Sequence, residues 1–457
     1  MNISNYINSI FTNQFFLMFL AIATGLLIGK IKIKSFSIGV SGGIFTGIII
    51  GYFVTKWAHT LQEGGLGYAN AKRILSTGVV AQAFFTFFLL LFLVSIGLKV
   101  GNSIGMIFKK YGIKFVVIGV SIPVVSMIVS CVLYSTVLCS NPSITPFETI
   151  GMYAGAMTTT PGYGTALDAA GNVDYANLYA EATQEGKEAI LKKIDSTGTL
   201  TVENTVSLSD EQITAYKEAS SSAISLGYTV AFPMGVLVIV VMVSILPKLF
   251  RIDMEKEKEA YRKEIHEAGG IVSGKEQPLN FMIIALVAVI GIIVGEITIP
   301  LGSLGSFSLG TAGGVLLAAL ILSYIGKIGP VNFRMDSKSL GIMYQMGLTF
   351  FMAVVGLRYG YDVVTSLMGS GLALAISAIA VEAIAVLVSF LIGHKLFGLN
   401  WIILSGAIAG GCTSAPGLGA AISSIGSEEP TTGYGAAQPF AILANVLLAT
   451  IFFNIML

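Results

Sequence analysis

Residues 154–166 read AGAMTTTPGYGTA, and residues 409–421 read AGGCTSAPGLGAA. The two stretches match in their small residues, hydroxyls, proline and glycine at an offset of 255. Each sets a Thr/Ser–x–Pro–Gly break inside an apolar run, where one helix should stop and another start. In a membrane, non-helical backbone of this kind is tolerated only where it is buried in protein or lines a water-filled cavity. The pair therefore points to a duplicated helix break inside a membrane protein.

The composition agrees. Of 457 residues, 54% are apolar and only 11% charged, against about 25% charged in a soluble chain. With a mean hydropathy of +0.82, this excludes an ordinary soluble enzyme, a disordered regulator and a disulfide-stapled secreted domain. A net charge of +1 leaves no electrostatic footprint for nucleic acid. The three cysteines, Cys131, Cys139 and Cys412, are too scattered for a disulfide framework or a thiolate metal site. Charge-free stretches run 1–29, 35–55, 74–98, 115–147, 149–167, 219–247, 279–295, 297–326, 339–357, 363–381 with 383–393, 396–427 and 430–457. Most hold about 18 residues or more, enough for a helix to cross roughly 30 Å of hydrocarbon. They make twelve membrane-embedded segments. The first has no basic residue before it and no small-residue cleavage site after it, so it reads as a span and not a signal peptide.

Two polar segments interrupt the pattern. Residues 171–218 carry nine acids and four bases and read as an acidic surface insertion; residues 248–278 carry seven of each sign and form a hydrophilic linker. Within the linker, MEKEKEAYRKEIHEA is expected to be a short solvated helix. Around them the repeat extends beyond the opening motif. SGGIFTG at 41–47 answers AGGVLLA at 312–318, IGLKVG at 96–101 answers VGLRYG at 355–360, and GYTVAFP at 227–233 answers GYGAAQP at 433–439. The connections that hold Lys30 to Lys34, Lys99 to Lys114, the linker, Lys327 to Lys338 and Lys395 carry eighteen bases, whereas the opposite short connections carry only Lys56, Lys72, Arg73 and Arg358. The basic side is cytoplasmic by the positive-inside rule. Both termini then fall outside, and each break becomes a re-entrant hairpin, entering from opposite sides in the two halves. The expected fold is an all-α polytopic membrane protein of two inverted repeats, each about five transmembrane helices plus one re-entrant hairpin, an arrangement common among secondary transporters. The first repeat covers 1–247, the linker 248–278 and the second repeat 279–457.

At the breaks, Thr160 is set to cap a half-helix with Pro161 in its first position, Gly162 following. Its free amides and positive dipole end, with the hydroxyls of Thr158, Thr159 and Thr160, suit a carboxylate. Thr413, Ser414, Ala415, Pro416 and Gly417 mirror this, with Ala415 the poorer cap. Tyr228, Thr229, Gln438 and Asn445 on the two proline-bearing spans are further pocket groups, although Tyr228 and Tyr434 also suit interfacial anchoring. Glu382 is the one charge deep within an apolar span and reads as a proton or cation site, or as a protonated acid bonded between helices. Lys99 and Arg358 occupy equivalent repeat positions and can snorkel; Arg358, where bases are scarce, is the better placed to attract an anion. Asp168 can end the first hairpin. GGIVSGKE at 269–276 matches part of a phosphate loop, but Glu276 stands where Ser or Thr should meet magnesium. His59, His266 and His394 are isolated, so no metal pair and no catalytic dyad is expected. Neither cofactor nor enzyme activity follows.

In these motifs, GAMTTTPG with GYTVAFP and GGCTSAPG with GYGAAQP, the chain resembles the aspartate–alanine exchanger family of bacterial antiporters; GLKVG and GLRYG fit as well. The resemblance covers nearly all membrane segments. It implies a multi-pass inner-membrane carrier that exchanges small amino acids or related carboxylates, with substrate near the two hairpins. Separately from the resemblance, hairpins in inverted repeats match elevator-type carriers by fold analogy, and since such carriers are commonly dimers, a homodimer is expected. Many members carry ligand-sensing cytoplasmic domains between the halves, where this chain has only the 248–278 linker. The competing readings are a cation- or proton-coupled symporter or exchanger using Glu382, and a channel.

Overall fold

The computed structural model describes residues 10–29, 32–33, 36–37, 42–141, 144–195, 199–267, 276–300, 306–307, 309–368 and 371–456. Lys30, Lys34, the GGIVSGK stretch, and the side chains of Lys32, Asp168 and His266, all named above, lie outside what is described. The protein is an all-α polytopic membrane protein. Its helices are α1 (Gln14–Gly29), α2 (Gly42–Thr60), α3 (Tyr68–Thr77), α4 (Gln82–Thr136), α5 (Pro146–Ala156), α6 (Thr160–Gly171), α7 (Tyr175–Glu181), α8 (Gln184–Ile194), α9 (Asp210–Leu249), α10 (Met254–Glu267), α11 (Phe281–Glu296), α12 (Gly310–Ile325), α13 (Ser337–Met368), α14 (Leu372–Phe390), α15 (Trp401–Gly411), α16 (Ala415–Ile425) and α17 (Pro430–Met456). Six helical stretches among the described residues are long and apolar enough to cross a membrane: Gln82–Lys99, Lys109–Ser140, Asp210–Leu249, Ser337–Thr365, Leu372–Leu396 and Pro430–Met456.

The helices sort into two groups by packing. In one, α2 lies on α1 and α13, α12 lies on α11, and the first part of α4 packs on α12 and α13. Phe88 stacks on Phe350 there, and the Ser323 hydroxyl donates to the Leu98 carbonyl. In the other, α5 packs on α9, α15 on α17, and the second part of α4 joins α14 and α17. The Ser121 and Ser389 hydroxyls meet at 2.9 Å across that α4–α14 contact. The pairings recur at equivalent places of the sequence repeat: α5 with α9 answers α15 with α17, and α2 with α13 answers α12 with α4.

Glycines set the closest of these approaches. On α5, a side chain at Gly151 would strike the Ile224 carbonyl, and one at Gly155 would sit 2.6 Å from the Tyr228 carbonyl. On α15, Gly406 faces the Pro430 carbonyl, and a Cβ at Gly410 would lie 2.6 Å from the Tyr434 carbonyl. The four-residue spacing puts each pair on one helix face, so backbone meets backbone without intervening side chains.

Three connections differ from the expectation. The basic stretch from Lys99 to Lys114 has helical backbone, so the connection between the two spans is itself helical. No proline lies in that connection to stop it, and three of its four bases find partners on neighbouring elements. Lys99 pairs with Glu428 at 2.7 Å, Lys110 with Glu264 at 2.6 Å, and Lys114 donates to the Phe397 carbonyl at 2.8 Å. Helix α9 starts at Asp210, inside the acidic segment, because Ser209 and Gln212 form a capping box. The acidic segment packs on the first repeat: Lys193 of α8 pairs with the buried Glu148 of α5 at 2.8 Å, and the Tyr175 ring meets Tyr216. Helix α10 forms as expected but docks on one face. Tyr261 is buried, and Glu257 accepts the Trp401 amide at 2.7 Å, supplying a carboxylate to the N-terminus of α15. At the start of α13, Asp336 accepts the Ser339 amide and hydroxyl, bonds that hold its carboxyl below the usual carboxylate range.

Candidate functional site

Helices α5 and α6 are separated by Met157, Thr158 and Thr159, and α15 and α16 by Cys412, Thr413 and Ser414. The two breaks have the same geometry. Thr158 has φ 47° and Thr413 φ 52°, left-handed conformations that a β-branched residue adopts only when its surroundings impose them. Two contacts impose them here. The Thr158 hydroxyl donates to the Cys412 carbonyl at 2.9 Å, and the Thr413 hydroxyl donates to the Met157 carbonyl at 2.9 Å. Each break thus caps the last turn of the other half's helix, in a reciprocal clasp.

The next residue, extended at φ −99° in Thr159 and −100° in Ser414, is the N-cap. Thr159 Oγ1 accepts the Gly162 amide at 3.3 Å, and Ser414 Oγ accepts the Gly417 amide at 3.2 Å. This corrects the expected caps, Thr160 and Ala415, by one residue. An N-cap must be extended, and the turn after a left-handed Thr158 or Thr413 is where the chain extends. Thr160 and Ala415 become the first helical residues, with Pro161 and Pro416 second, still in the turn where a missing amide proton costs nothing. Helical geometry leaves the Thr160 and Ala415 amides without an intrahelical carbonyl.

A cavity of about 490 Å³ opens between the two helix groups. Thr158, Thr160, Pro161, Thr413 and Gln438 line it, so five of the residues singled out from the sequence share one space. Thr160 is exposed there; its hydroxyl lies 3.4 Å from the Tyr228 hydroxyl, and Tyr228 stacks on Tyr163 with centroids 4.2 Å apart. Gln438 donates to the Tyr434 hydroxyl at 3.0 Å.

Other residues take structural places. Thr159 and Ser414 are fully buried, with their oxygens committed to capping. Gly162, Ala415, Pro416, Gly417 and Tyr228 stand behind the cavity wall and not on it. Asn445 accepts the Tyr153 hydroxyl at 3.0 Å, within the core. Arg358 donates to the Thr77 and Val80 carbonyls, which ties α13 to the turn before α4 and keeps it off the cavity lining. Glu382 is fully buried inside α14, away from the cavity.

The cavity also holds groups the sequence reading missed. Gln82 and Thr86 face it from α4, and Glu296 and Thr311 from the α11–α12 wall, joined by a 2.7 Å hydrogen bond. Gln82 and Thr86 are four residues apart on an apolar helix, a one-faced polar stripe visible in the sequence. Glu296 appeared there only as the boundary between two charge-free stretches.

A membrane-spanning helical bundle that brings two broken helices together on a cavity of small-solute size is a membrane transporter. The chain belongs to the aspartate–alanine exchanger family: the family described as "predicted permease membrane region" matches residues 17–184 and again 283–454. An uncharacterized transporter of Bacteroides fragilis is 24% identical over 95% of this chain and 97% of its own length. An uncharacterized transporter of Bacteroides thetaiotaomicron is 36% identical over 37% of this chain and 32% of its own, and one of Geobacter sulfurreducens is 34% identical over 39% and 33%. In those last two alignments the chain spans about a third of the relative's length.

Proposed function

We propose that this transporter is an exchanger of small amino acids or related carboxylates, working by alternating access. The observation that carries the reading is the pair of clasped breaks on one wall of the cavity. There the N-terminus of α6, with Thr160 and Pro161 on the lining, sets its positive dipole end at the cavity, which favours a carboxylate. The Thr160 hydroxyl adds a donor. Thr158 and Thr413 hold the clasp, since their hydroxyl protons are already given to backbone carbonyls. Glu296 supplies a negative group on the opposite wall, where it suits the ammonium of an amino acid.

The proposal keeps the inverted arrangement: repeats over 1–247 and 279–457, with 248–278 cytoplasmic, both termini outside, and the protein in the bacterial inner membrane as a homodimer. In that orientation the cavity opens outward, and the two helix groups slide against each other to open it inward. The Lys99–Glu428 pair and the Phe232–Tyr359 ring contact lie on that sliding surface.

Counterflow in proteoliposomes tests the reading. Vesicles loaded with unlabelled aspartate or alanine should accumulate labelled aspartate with no ion gradient. Entry that ignores internal substrate would sink exchange, and unsaturable flux would favour a channel. Two variants sharpen it. Glu296→Gln should raise the apparent Km for amino acids about tenfold, the loss of one charge-assisted contact of about 1.5 kcal/mol, while inhibition by carboxylates lacking an amino group stays unchanged. The Lys99–Glu428 pair is partly exposed, 22% on each side, so its removal costs only about 0–1 kcal/mol. Glu428→Lys, which sets like charges together, should slow exchange, and adding Lys99→Glu should restore it. A double variant no faster than Glu428→Lys would show that the pair does not bridge the moving groups.

A further inference from the structure

Glu382 is used by none of this. It sits in the middle of α14, fully buried, and neither carboxyl oxygen has a hydrogen-bond partner. Its helix packs against α4, α5, α9, α13 and α15. The titratable group that faces it is the Cys412 thiol, from the end of α15, without a well-formed hydrogen bond. The Tyr434 hydroxyl lies beyond that thiol. No charged group faces Glu382 from α4, α5, α9 or α13 among the described residues. An ionised carboxylate with neither donor nor counter-charge is among the costliest groups to bury; a neutral carboxyl costs far less. In the arrangement described here Glu382 therefore carries its proton.

Its location gives that proton a consequence. Cys412 is the residue whose carbonyl accepts the Thr158 hydroxyl, so Glu382 lies directly behind one half of the clasp. Any rearrangement of the second break that lets water in beside Cys412 also wets Glu382 and permits it to ionise.

We propose that Glu382 is a proton-binding site of the transport cycle, neutral while the clasp is closed around it and ionised when the α14–α15 contact opens to water. The step is a simple protonation: the carboxylate takes one proton from the aqueous phase as the contact closes and returns one as it opens, with no other bond made or broken. This rests on the alternating-access reading and adds a proton to the solute it moves.

The test uses the full-length protein in vesicles containing a trapped pH indicator. Substrate is present on both sides and a pH step is imposed across the membrane, so that proton movement is read during exchange. Wild-type protein should show a substrate-dependent internal pH change, and Glu382→Gln should retain substrate counterflow while losing the pH change and the pH dependence of the rate. A wild-type protein that moves substrate with no pH change, or a Glu382→Gln variant with the wild-type pH change, overturns the proposal. Failed counterflow with a preserved proton signal would overturn exchange and leave this site standing. Should Glu382→Gln fail to fold, infrared difference spectra of wild-type protein decide the matter. A deuterium-sensitive protonated-carboxyl band that changes on adding substrate is expected, and its absence refutes the site.

Discussion

Thr158→Val should reduce exchange by about tenfold or more while leaving the amount of folded protein near normal. Valine keeps the shape of threonine and its β-branch, so the left-handed conformation at φ 47° is no more strained than before. What disappears is the hydroxyl proton given to the Cys412 carbonyl at 2.9 Å. A buried carbonyl left without its donor costs about 1–3 kcal/mol, a factor of about 5 to 150 in the population of the clasped state. Thr413→Val removes the reciprocal bond to Met157 and should act alike. The double variant should lose less than the sum, because the two bonds close one contact. Thr158→Ser keeps the hydroxyl and should recover most of the rate. Exchange rates normalised to reconstituted protein decide it: valine and serine variants of equal activity would show that the bond has no part in transport.

That prediction moves the emphasis from where the sequence alone puts it, and the reason is physical. TTTPG and TSAPG announce a helix break by residue type, and the membrane character follows from charge-free runs whose lengths match a bilayer. Which hydroxyl caps and which clasps depends on one left-handed residue, and hydroxyl spacing does not encode that. The cap falls on Thr159 and Ser414 because Thr158 and Thr413 are held left-handed by the opposite half, a contact across 254 or 256 residues. Glu296 escaped for a similar reason. A lone acid at a span end is ordinary in sequence, and only the meeting of α11, α12 and the breaks puts it on a cavity wall. The Lys99 to Lys114 stretch reads as a connection because it is charged. It stays helical because Glu428, Glu264 and the Phe397 carbonyl, all distant in sequence, take up its charges.

Gly406→Ala should be the most destructive single methyl among the described glycines, judged by yield of monodisperse protein in detergent and by thermal unfolding. The added carbon would fall on the Pro430 carbonyl, on backbone that cannot rotate away. Helices α15 and α17 would have to separate, and that strains the turn at Thr413 that α15 feeds. Overpacking a methylene into a core costs about 1–3 kcal/mol where side chains can yield; against backbone the cost should exceed that range. Gly151→Ala, set against the Ile224 carbonyl at the equivalent place of the first half, should behave the same way. Gly164→Ala is the internal control. It is also a helical glycine, in α6, but nothing lies within 4 Å of the added carbon, so it should be neutral or stabilise by about 0.5–1 kcal/mol through helix propensity. Equal tolerance of alanine at Gly406 and Gly164 would mean that α15 and α17 do not approach backbone to backbone. The clasp would then lose its rigid base, because the position of both threonines is fixed by how closely these arms pack on α9 and α17.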